Sequence, residues 1–169
     1  NIHSTTGIEF TKIEIEGTDY VLNLFDTAGQ EEFRALAISY YRNAQVFIFV
    51  TTCDANTQEE DDKSLIEFIS NAREYAGDSF NAIFLLNKTD LLDDHRLLDN
   101  RIDALRNFLK EYAGISQNVT LIPISCLTRD GILDAWYAIN DIVTNMDPPP
   151  PEPPQPTLDD DPDPNRCNC

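Results

Sequence analysis

The first part of the chain alternates between apolar and polar side chains. Residues 7–16 follow this alternation, Gly17-Thr18-Asp19 is typical of a turn, and residues 20–25 resume the apolar pattern. A period of two residues is that of a β-strand with one buried face, because successive side chains of a strand point to opposite faces. The two segments and the turn between them therefore predict a β-hairpin.

Two other patterns alternate along the rest of the chain. Continuous apolar runs are typical of parallel strands buried on both faces, and they lie at residues 46–50 and 82–86, while residues 119–124 predict a further strand. Apolar positions three or four residues apart are typical of amphipathic helices, and they lie at residues 33–41, 65–76, 98–112 and 132–143. The order ββαβαβαβα predicts an α/β fold with a mostly parallel sheet and helices on both faces.

The composition changes abruptly after Met146. Residues 147–169 contain nine of the ten prolines and six acidic side chains. A segment of this kind cannot bury enough apolar surface to fold. The sequence therefore predicts a folded domain over residues 1–146 and a disordered, extended tail over residues 147–169.

The chain is strongly acidic, with a net charge of -18 over 169 residues. Because both the predicted domain and the tail are acidic, we expect neither nucleic acid as a partner nor a polybasic surface that docks on anionic lipid. The cysteines at positions 53, 126, 167 and 169 lack the spacing of a disulfide framework and favour a reducing compartment. No apolar run reaches the length of a membrane-spanning helix.

A short loop of small and polar residues separates the second strand from the first helix. Its sequence is Asp26-Thr27-Ala28-Gly29-Gln30. In an α/β sheet, ligands bind beyond the carboxyl ends of the strands. Asp26 is therefore placed where a carboxylate can hold a metal ion, and the backbone N–H of Gly29 can approach a phosphate closely.

The same loop carries a family resemblance. DTAGQE, residues 26–31, resembles the switch II segment of Ras-type small GTPases, and the flanking EFRALAISYYRNA is similar to the Rab branch. The resemblance implies a Ras-like P-loop NTPase fold, GTP or GDP with Mg²⁺ as ligands, and hydrolysis of GTP. It implies that Asp26 holds the metal ion through water, Gly29 binds the γ-phosphate, and Gln30 orients the attacking water.

The polar segment before the first strand resembles switch I of the same family. In STTGIEF, residues 4–10, the match places a threonine that binds Mg²⁺ and contacts the γ-phosphate at Thr5. The resemblance also implies protein partners for the two switches. These are effector proteins, an exchange factor and a GTPase-activating protein.

Asn87-Lys88-Thr89-Asp90 follows a buried strand and resembles the NKxD base-reading motif of the family. A carboxylate can accept two hydrogen bonds from the N1 and N2 donors of guanine, and adenine has no such pair of donors. This chemistry explains why an acid at Asp90 would select guanine. The resemblance implies that Asn87 braces the loop and that Lys88 lies along the base.

Ser125-Cys126-Leu127 follows the next strand and stands where the family usually has Ser-Ala-Lys. The resemblance implies that Ser125 supports the base-reading acid and that the backbone N–H of Cys126 faces the guanine carbonyl. Leu127 departs from the family pattern. It removes a packing contact near the base, so we expect it to loosen nucleotide binding.

The chain ends in Cys167-Asn168-Cys169, which resembles the CxC terminus on which Rab proteins carry two geranylgeranyl groups. Two lipid chains give stable anchoring, where one gives only marginal binding. The resemblance therefore implies a cytoplasmic protein on the cytosolic face of intracellular membranes. The alternative is a pair of unmodified thiols on an extended end.

The phosphate-binding GxxxxGK[ST] motif does not occur in these 169 residues. In the family it precedes switch I, so we expect an incomplete domain that lacks the first strand, the P-loop and the first helix, and that is inactive by itself. The strands at 21–25 and 46–50 would then face a gap.

Two functions remain open from the sequence. The first is a Rab-like GTPase that acts as a molecular switch in vesicle trafficking. The second is a relative without a P-loop, which does not hydrolyse GTP and serves as a lipid-anchored binding module.

Overall fold

The computed structural model describes residues 7–15, 17–18, 20–27, 34–77, 80–115 and 119–146. In chain order the elements are β1 (Ile8–Glu14), β2 (Val21–Thr27), α1 (Arg34–Tyr41), β3 (Val46–Thr52), α2 (Gln58–Ala76), β4 (Asn81–Asn87), a 3-10 turn (Thr89–Leu91), α3 (His95–Ala113), β5 (Thr120–Pro123) and α4 (Ile132–Thr144). The α/β order predicted from the sequence is confirmed.

The strands form two sheets. β1 and β2 pair antiparallel, with Phe10 opposite Phe25 and Glu9 opposite Asp26. β3, β4 and β5 form a parallel sheet in that order, with β4 in the centre. Within the described ranges, β2 and β3 are not hydrogen-bonded to each other.

The parallel sheet is covered on both faces, as its continuous apolar runs predict. Phe84 and Leu86 of β4 point into a core that α2 and α3 complete. The alternate residues Ile83 and Leu85 point to the opposite face, where they pack with α4. The larger core contains a row of stacked rings, with 6.0 Å between the centroids of Phe47 and Phe49 and 5.2 Å between those of Phe49 and Phe84.

Helix α3 begins soon after the strand that forms the centre of the sheet. The Asp94 carboxylate accepts a hydrogen bond from the Arg96 N–H at 2.9 Å and so caps one of the free donors of the first turn. The helix ends at Gly114, which adopts a left-handed conformation with φ 58°. The described helices include none that is long and apolar enough to cross a membrane.

Candidate functional site

The two sequence motifs after β4 and β5 lie side by side at the carboxyl ends of these neighbouring strands. We call residues 87–91 and 125–131 together the carboxyl edge. Backbone hydrogen bonds at Ile124, which immediately precedes the second half, hold the two halves together, from Ile124 N–H to the Leu86 carbonyl at 2.9 Å and from Thr89 N–H to the Ile124 carbonyl at 3.2 Å. Parallel pairing of β4 with β5 thus brings together residues that are almost forty positions apart.

Asn87 joins the two loops of the carboxyl edge through its side chain. Its Oδ1 accepts hydrogen bonds from the Lys88 N–H at 2.7 Å and from the Cys126 N–H at 3.1 Å. The second of these bonds uses the N–H that the resemblance directs toward the guanine carbonyl. That N–H would have to share or exchange its partner to contact a base.

Ser125 orients Asp90 through a hydrogen bond. The hydroxyl of Ser125 donates to Oδ1 of Asp90, and its oxygen accepts a hydrogen bond from the Thr128 N–H at 3.1 Å. Ser125 is fully buried, whereas Asp90 is exposed. A buried hydroxyl therefore holds one carboxylate oxygen of an acid that faces solvent.

Lys88 adopts the left-handed conformation, with φ 64° and ψ 35°. This conformation is uncommon for a residue other than glycine and persists where the surroundings impose it. Its Nζ lies 3.5 Å from Oδ2 of Asp54. Two hydrogen bonds from Asn56 lower the pKa of the Asp54 carboxyl, and the positive charge of Lys88 lowers it further.

The second loop of the carboxyl edge is a tight turn. Ser125 N–H donates to the Asp130 carbonyl at 2.9 Å, and Arg129 N–H donates to the Ser125 carbonyl at 2.7 Å. Gly131 follows with φ 70°, and a Cβ at this position would lie 2.2 Å from the Pro123 carbonyl oxygen. Leu127 stands out from this turn with 81% of its surface exposed.

The remaining predicted site residues are only partly placed. Asp26 lies next to the end of β2, opposite Glu9 of β1. The others lie outside the described residues, and they are Thr5, Gly29, Gln30, Cys167 and Cys169. Within the described ranges, no group of three or more His, Cys, Asp or Glu side chains is arranged to hold a metal ion.

The sequence analysis missed a pair of charged residues near the end of β3, which lies beside the carboxyl edge. Arg101 of α3 and Asp62 of α2 form an ion pair of 2.7 Å, with side chains that are only 10% and 12% exposed. A signal existed, because Arg101 falls between Leu98 and Leu105 on the apolar stripe of α3. A charged residue on a buried stripe indicates a buried partner.

The sequence profile of one protein family matches residues 1–143, and its description is Ras family. The chain belongs to the Ras family. Its fold, its DTAGQE segment and its carboxyl edge agree with that membership. This match and the Rab proteins among the relatives of the chain confirm the sequence-based prediction of a Rab-like small GTPase.

Relatives of this Ras family chain include the GTP-binding protein yptV2 of Volvox carteri, 36% identical over 97 residues, with 56% of this chain and 43% of the relative covered. The Ras-related protein Rab-8B of Dictyostelium discoideum is 34% identical over 123 residues, with 69% and 59% covered. The chain thus spans about half the length of these curated relatives.

A solved structure shares the fold. The bacterial selenocysteine-specific elongation factor EF-Sec superposes with a TM-score of 0.70 at 22% identity, with 85% of this chain and 23% of that chain covered. At this identity the likeness concerns the fold alone. Proteins of the Ras family bind GTP or GDP together with Mg²⁺.

Proposed function

We propose that the carboxyl edge reads the guanine base in a Rab-like GTPase that switches between GTP and GDP forms. The observation that carries the proposal is the Asp90 carboxylate, which is exposed to solvent while the buried Ser125 hydroxyl holds it. Preorganised polar groups recognise a ligand without the free-energy cost of ordering them on binding.

The chemistry of the base explains why an acid is suited to this role. Guanine offers two adjacent donors at N1 and N2, and a carboxylate can accept both hydrogen bonds. A base without these donors would leave a desolvated carboxylate unpaired, which is strongly unfavourable. Asn87 would support this contact indirectly, because its side chain holds the backbone of both loops of the carboxyl edge.

Replacement of Asp90 by asparagine tests the proposal. The side chain of Asp90→Asn has one acceptor and one donor, so its NH2 group faces one of the two guanine donors unfavourably. The same side chain matches xanthine, which has a carbonyl in place of the N2 amine. We expect the variant to bind GDP about 100-fold more weakly than the wild type does, which corresponds to about 2.8 kcal/mol. We expect it to bind xanthosine diphosphate more tightly than the wild type does. Fluorescence titration measures both affinities.

The control variant is Asp93→Asn, which removes the same charge from an exposed position three residues away. It should leave both affinities unchanged. Equal loss of GDP affinity in the two variants would indicate a general effect of charge. Unchanged GDP affinity in Asp90→Asn would contradict base reading by this carboxylate.

For the phosphate side we propose the roles that the resemblance implies. Thr5 and Asp26 would bind Mg²⁺, Gly29 would bind the γ-phosphate, and Gln30 would orient the attacking water. Single-turnover GTP hydrolysis by the native protein and by Gln30→Leu tests this assignment. Equal rates in the two proteins, with and without an activating protein, would favour the binding module that does not hydrolyse GTP.

An exposed aromatic cluster on β1, β2 and α1 supports the proposal that effector proteins bind near the two segments that resemble the switches. The ring centroids of Phe10 and Phe25 are 5.1 Å apart, and those of Phe25 and Tyr40 are 4.7 Å apart. All three side chains are exposed to solvent. Aromatic residues are enriched at the centres of protein interfaces, and a contiguous exposed patch of them indicates a binding site.

We further propose that the protein acts in vesicle trafficking, on the cytosolic face of a membrane to which prenyl groups on Cys167 and Cys169 anchor it. The support is the CxC ending of a Rab-like chain. Replacement of both cysteines by serine should move the protein from the membrane pellet to the supernatant. Continued sedimentation of the double variant with membranes would exclude this anchor.

A further inference from the structure

Three elements meet at one buried guanidinium group at the end of β3, beside the carboxyl edge. Arg101 of α3 donates from Nη1 and Nη2 to the two carboxylate oxygens of Asp62 in α2, at 2.9 and 2.7 Å. The hydroxyl of Thr51 in β3 donates to the same carboxylate at 2.9 Å. The planar fork of arginine suits this two-point contact, which a lysine cannot reproduce.

The same guanidinium group also binds the backbone at the end of β3. Nε and Nη2 of Arg101 donate to the Thr52 carbonyl at 3.2 and 3.1 Å. Thr52 is the last residue of the strand. Arg101 therefore fixes the point at which the chain leaves the sheet, in addition to neutralising Asp62.

The two residues after Thr52 both contact the predicted base-reading motif. Cys53 N–H donates to the Asn87 carbonyl at 2.8 Å, and the carboxylate of Asp54 lies 3.5 Å from Nζ of Lys88. Each of these contacts depends on where Thr52 places the following backbone. A continuous set of hydrogen bonds thus connects Arg101 with Asn87, and an ion pair connects the same segment with Lys88.

Stability alone does not account for this arrangement. A buried ion pair loses its hydration, and apolar side chains of similar volume in its place are often equally stable or more so. A pair of this kind does, however, fix one geometry, because both partners must keep their hydrogen bonds. What the pair fixes here is the end of β3 beside the carboxyl edge.

We infer that Arg101, held by Asp62, is a positioning residue that sets guanine affinity by fixing Thr52–Asp54 against Asn87 and Lys88. The inference rests on the proposed base-reading function. It assigns Arg101 no contact with the nucleotide. Its effect on binding is transmitted through the backbone at the end of β3.

Two variants of the native protein separate positioning from stability. Arg101→Lys keeps the charge but loses the fork, so we expect GDP to dissociate about tenfold faster. The double variant Asp62→Leu with Arg101→Met replaces the pair with apolar side chains. We expect it to retain the urea midpoint of the wild type within error while GDP release stays about tenfold faster. A double variant that is as stable as the wild type and releases GDP as slowly would overturn the inference.

Arg106→Lys is the matched control, because Arg106 lies on the same helix and forms an exposed ion pair with Asp103 at 3.7 Å. It should leave GDP release unchanged. A tenfold acceleration in this control as well would mean that any arginine-to-lysine change in α3 has the effect, and would overturn the specific role of Arg101.

Amide hydrogen exchange provides a readout that needs no nucleotide. We expect the Cys53 amide to exchange about tenfold faster in Arg101→Lys than in wild type, and the Ile83 amide in the centre of the sheet to keep its rate. Unchanged exchange at Cys53 would overturn the inference. Failure of the wild type to bind GDP, with faster exchange at Cys53 in the variant, would instead contradict the proposed function and leave the positioning of this segment supported.

Discussion

The carboxyl edge and the β1–β2 hairpin present their side chains in different ways. The carboxyl edge lies at the ends of two neighbouring strands of the parallel sheet, and the side chains of Asn87 and Ser125 connect its loops. The hairpin strands pair with each other and, within the described ranges, with no other strand. Phe10 and Phe25 lie exposed on it.

This difference relates each region to the kind of ligand that we propose for it. Recognition of one base requires donors and acceptors at fixed positions, and hydrogen bonds to a buried core provide them. Contact with a protein partner depends more on apolar area, which an exposed aromatic surface supplies. The comparison therefore predicts that substitutions in the two regions will have unequal effects on stability.

The largest contrast is expected between two phenylalanines. Phe84 is 1% exposed in the centre of the parallel sheet, whereas Phe10 on the hairpin is 54% exposed. Phe84→Ala should lower the free energy of unfolding by about 3 to 5 kcal/mol, because it leaves a cavity in the core. Phe10→Ala should lower it by about 0.5 kcal/mol, as exposed substitutions do.

Urea unfolding of both variants measures this contrast. The shift of the midpoint gives the change in stability if the slope of the unfolding free energy against urea concentration is the same in each protein. Similar losses in the two variants would break the comparison. They would mean that the hairpin contributes to the core as much as the parallel sheet does.

A second contrast concerns two glycines with positive φ. Gly131 follows the turn of the carboxyl edge, and an added Cβ would lie 2.2 Å from the Pro123 carbonyl oxygen, which belongs to the backbone and cannot easily move. Gly17 in the hairpin turn has φ 81° with no atom within 4 Å of an added Cβ. Gly131→Ala should cost about 2 to 4 kcal/mol from backbone strain and steric overlap together.

Gly17→Ala is the matched control, since it introduces only the strain of a left-handed alanine, about 1 kcal/mol. Thermal unfolding of the two variants gives the comparison. A Gly17→Ala variant less stable than Gly131→Ala would show that the hairpin turn is the more constrained of the two.

The sequence predicted most of the fold because the periodicity of apolar residues follows directly from burial. The runs at 46–50 and 82–86 predicted buried parallel strands, and the order of the elements placed Asn87 and Ser125 directly after two successive predicted strands. These predictions needed only local pattern and general topology. The assignment of roles at this edge came from the family resemblance and stays a prediction.

The sequence did not predict which charged residues are buried. The acidic residues at 59–62 precede the apolar positions of the helix predicted at 65–76, and nothing in this run distinguishes Asp62 from its neighbours, although it lies buried against Arg101. Partners 39 residues apart leave no local pattern. The left-handed backbone of Lys88 was missed for a similar reason, because the Lys88 N–H donates to Asn87 Oδ1 and the next N–H, of Thr89, donates to the distant Ile124 carbonyl.

The smallest expected effect concerns the buried thiol at the end of β3. Burial raises the pKa of Cys53 above its ordinary value of 9.0, and Asp90 adds to this, whereas the charge of Arg101 opposes it. Above pH 9 the thiol of the unfolded chain therefore ionises before that of the folded chain. The unfolded state then binds fewer protons than the native state, so the free energy of unfolding falls as pH rises from 9 toward the folded pKa.

We expect Cys53 to contribute no more than about 1.4 kcal/mol per pH unit to this fall, the limit for one titrating group. Urea unfolding between pH 8 and pH 10.5 should give a shallower decline for Cys53→Ala than for the wild type, with Cys126→Ala as the control for removal of an exposed thiol. The difference between variants cancels the titration of tyrosines and lysines that both proteins share. If the free energy of unfolding falls equally with pH in the wild type and in Cys53→Ala, water reaches the thiol at the end of β3. The carboxyl edge would then be as open to solvent as the hairpin, which contradicts the contrast drawn between them.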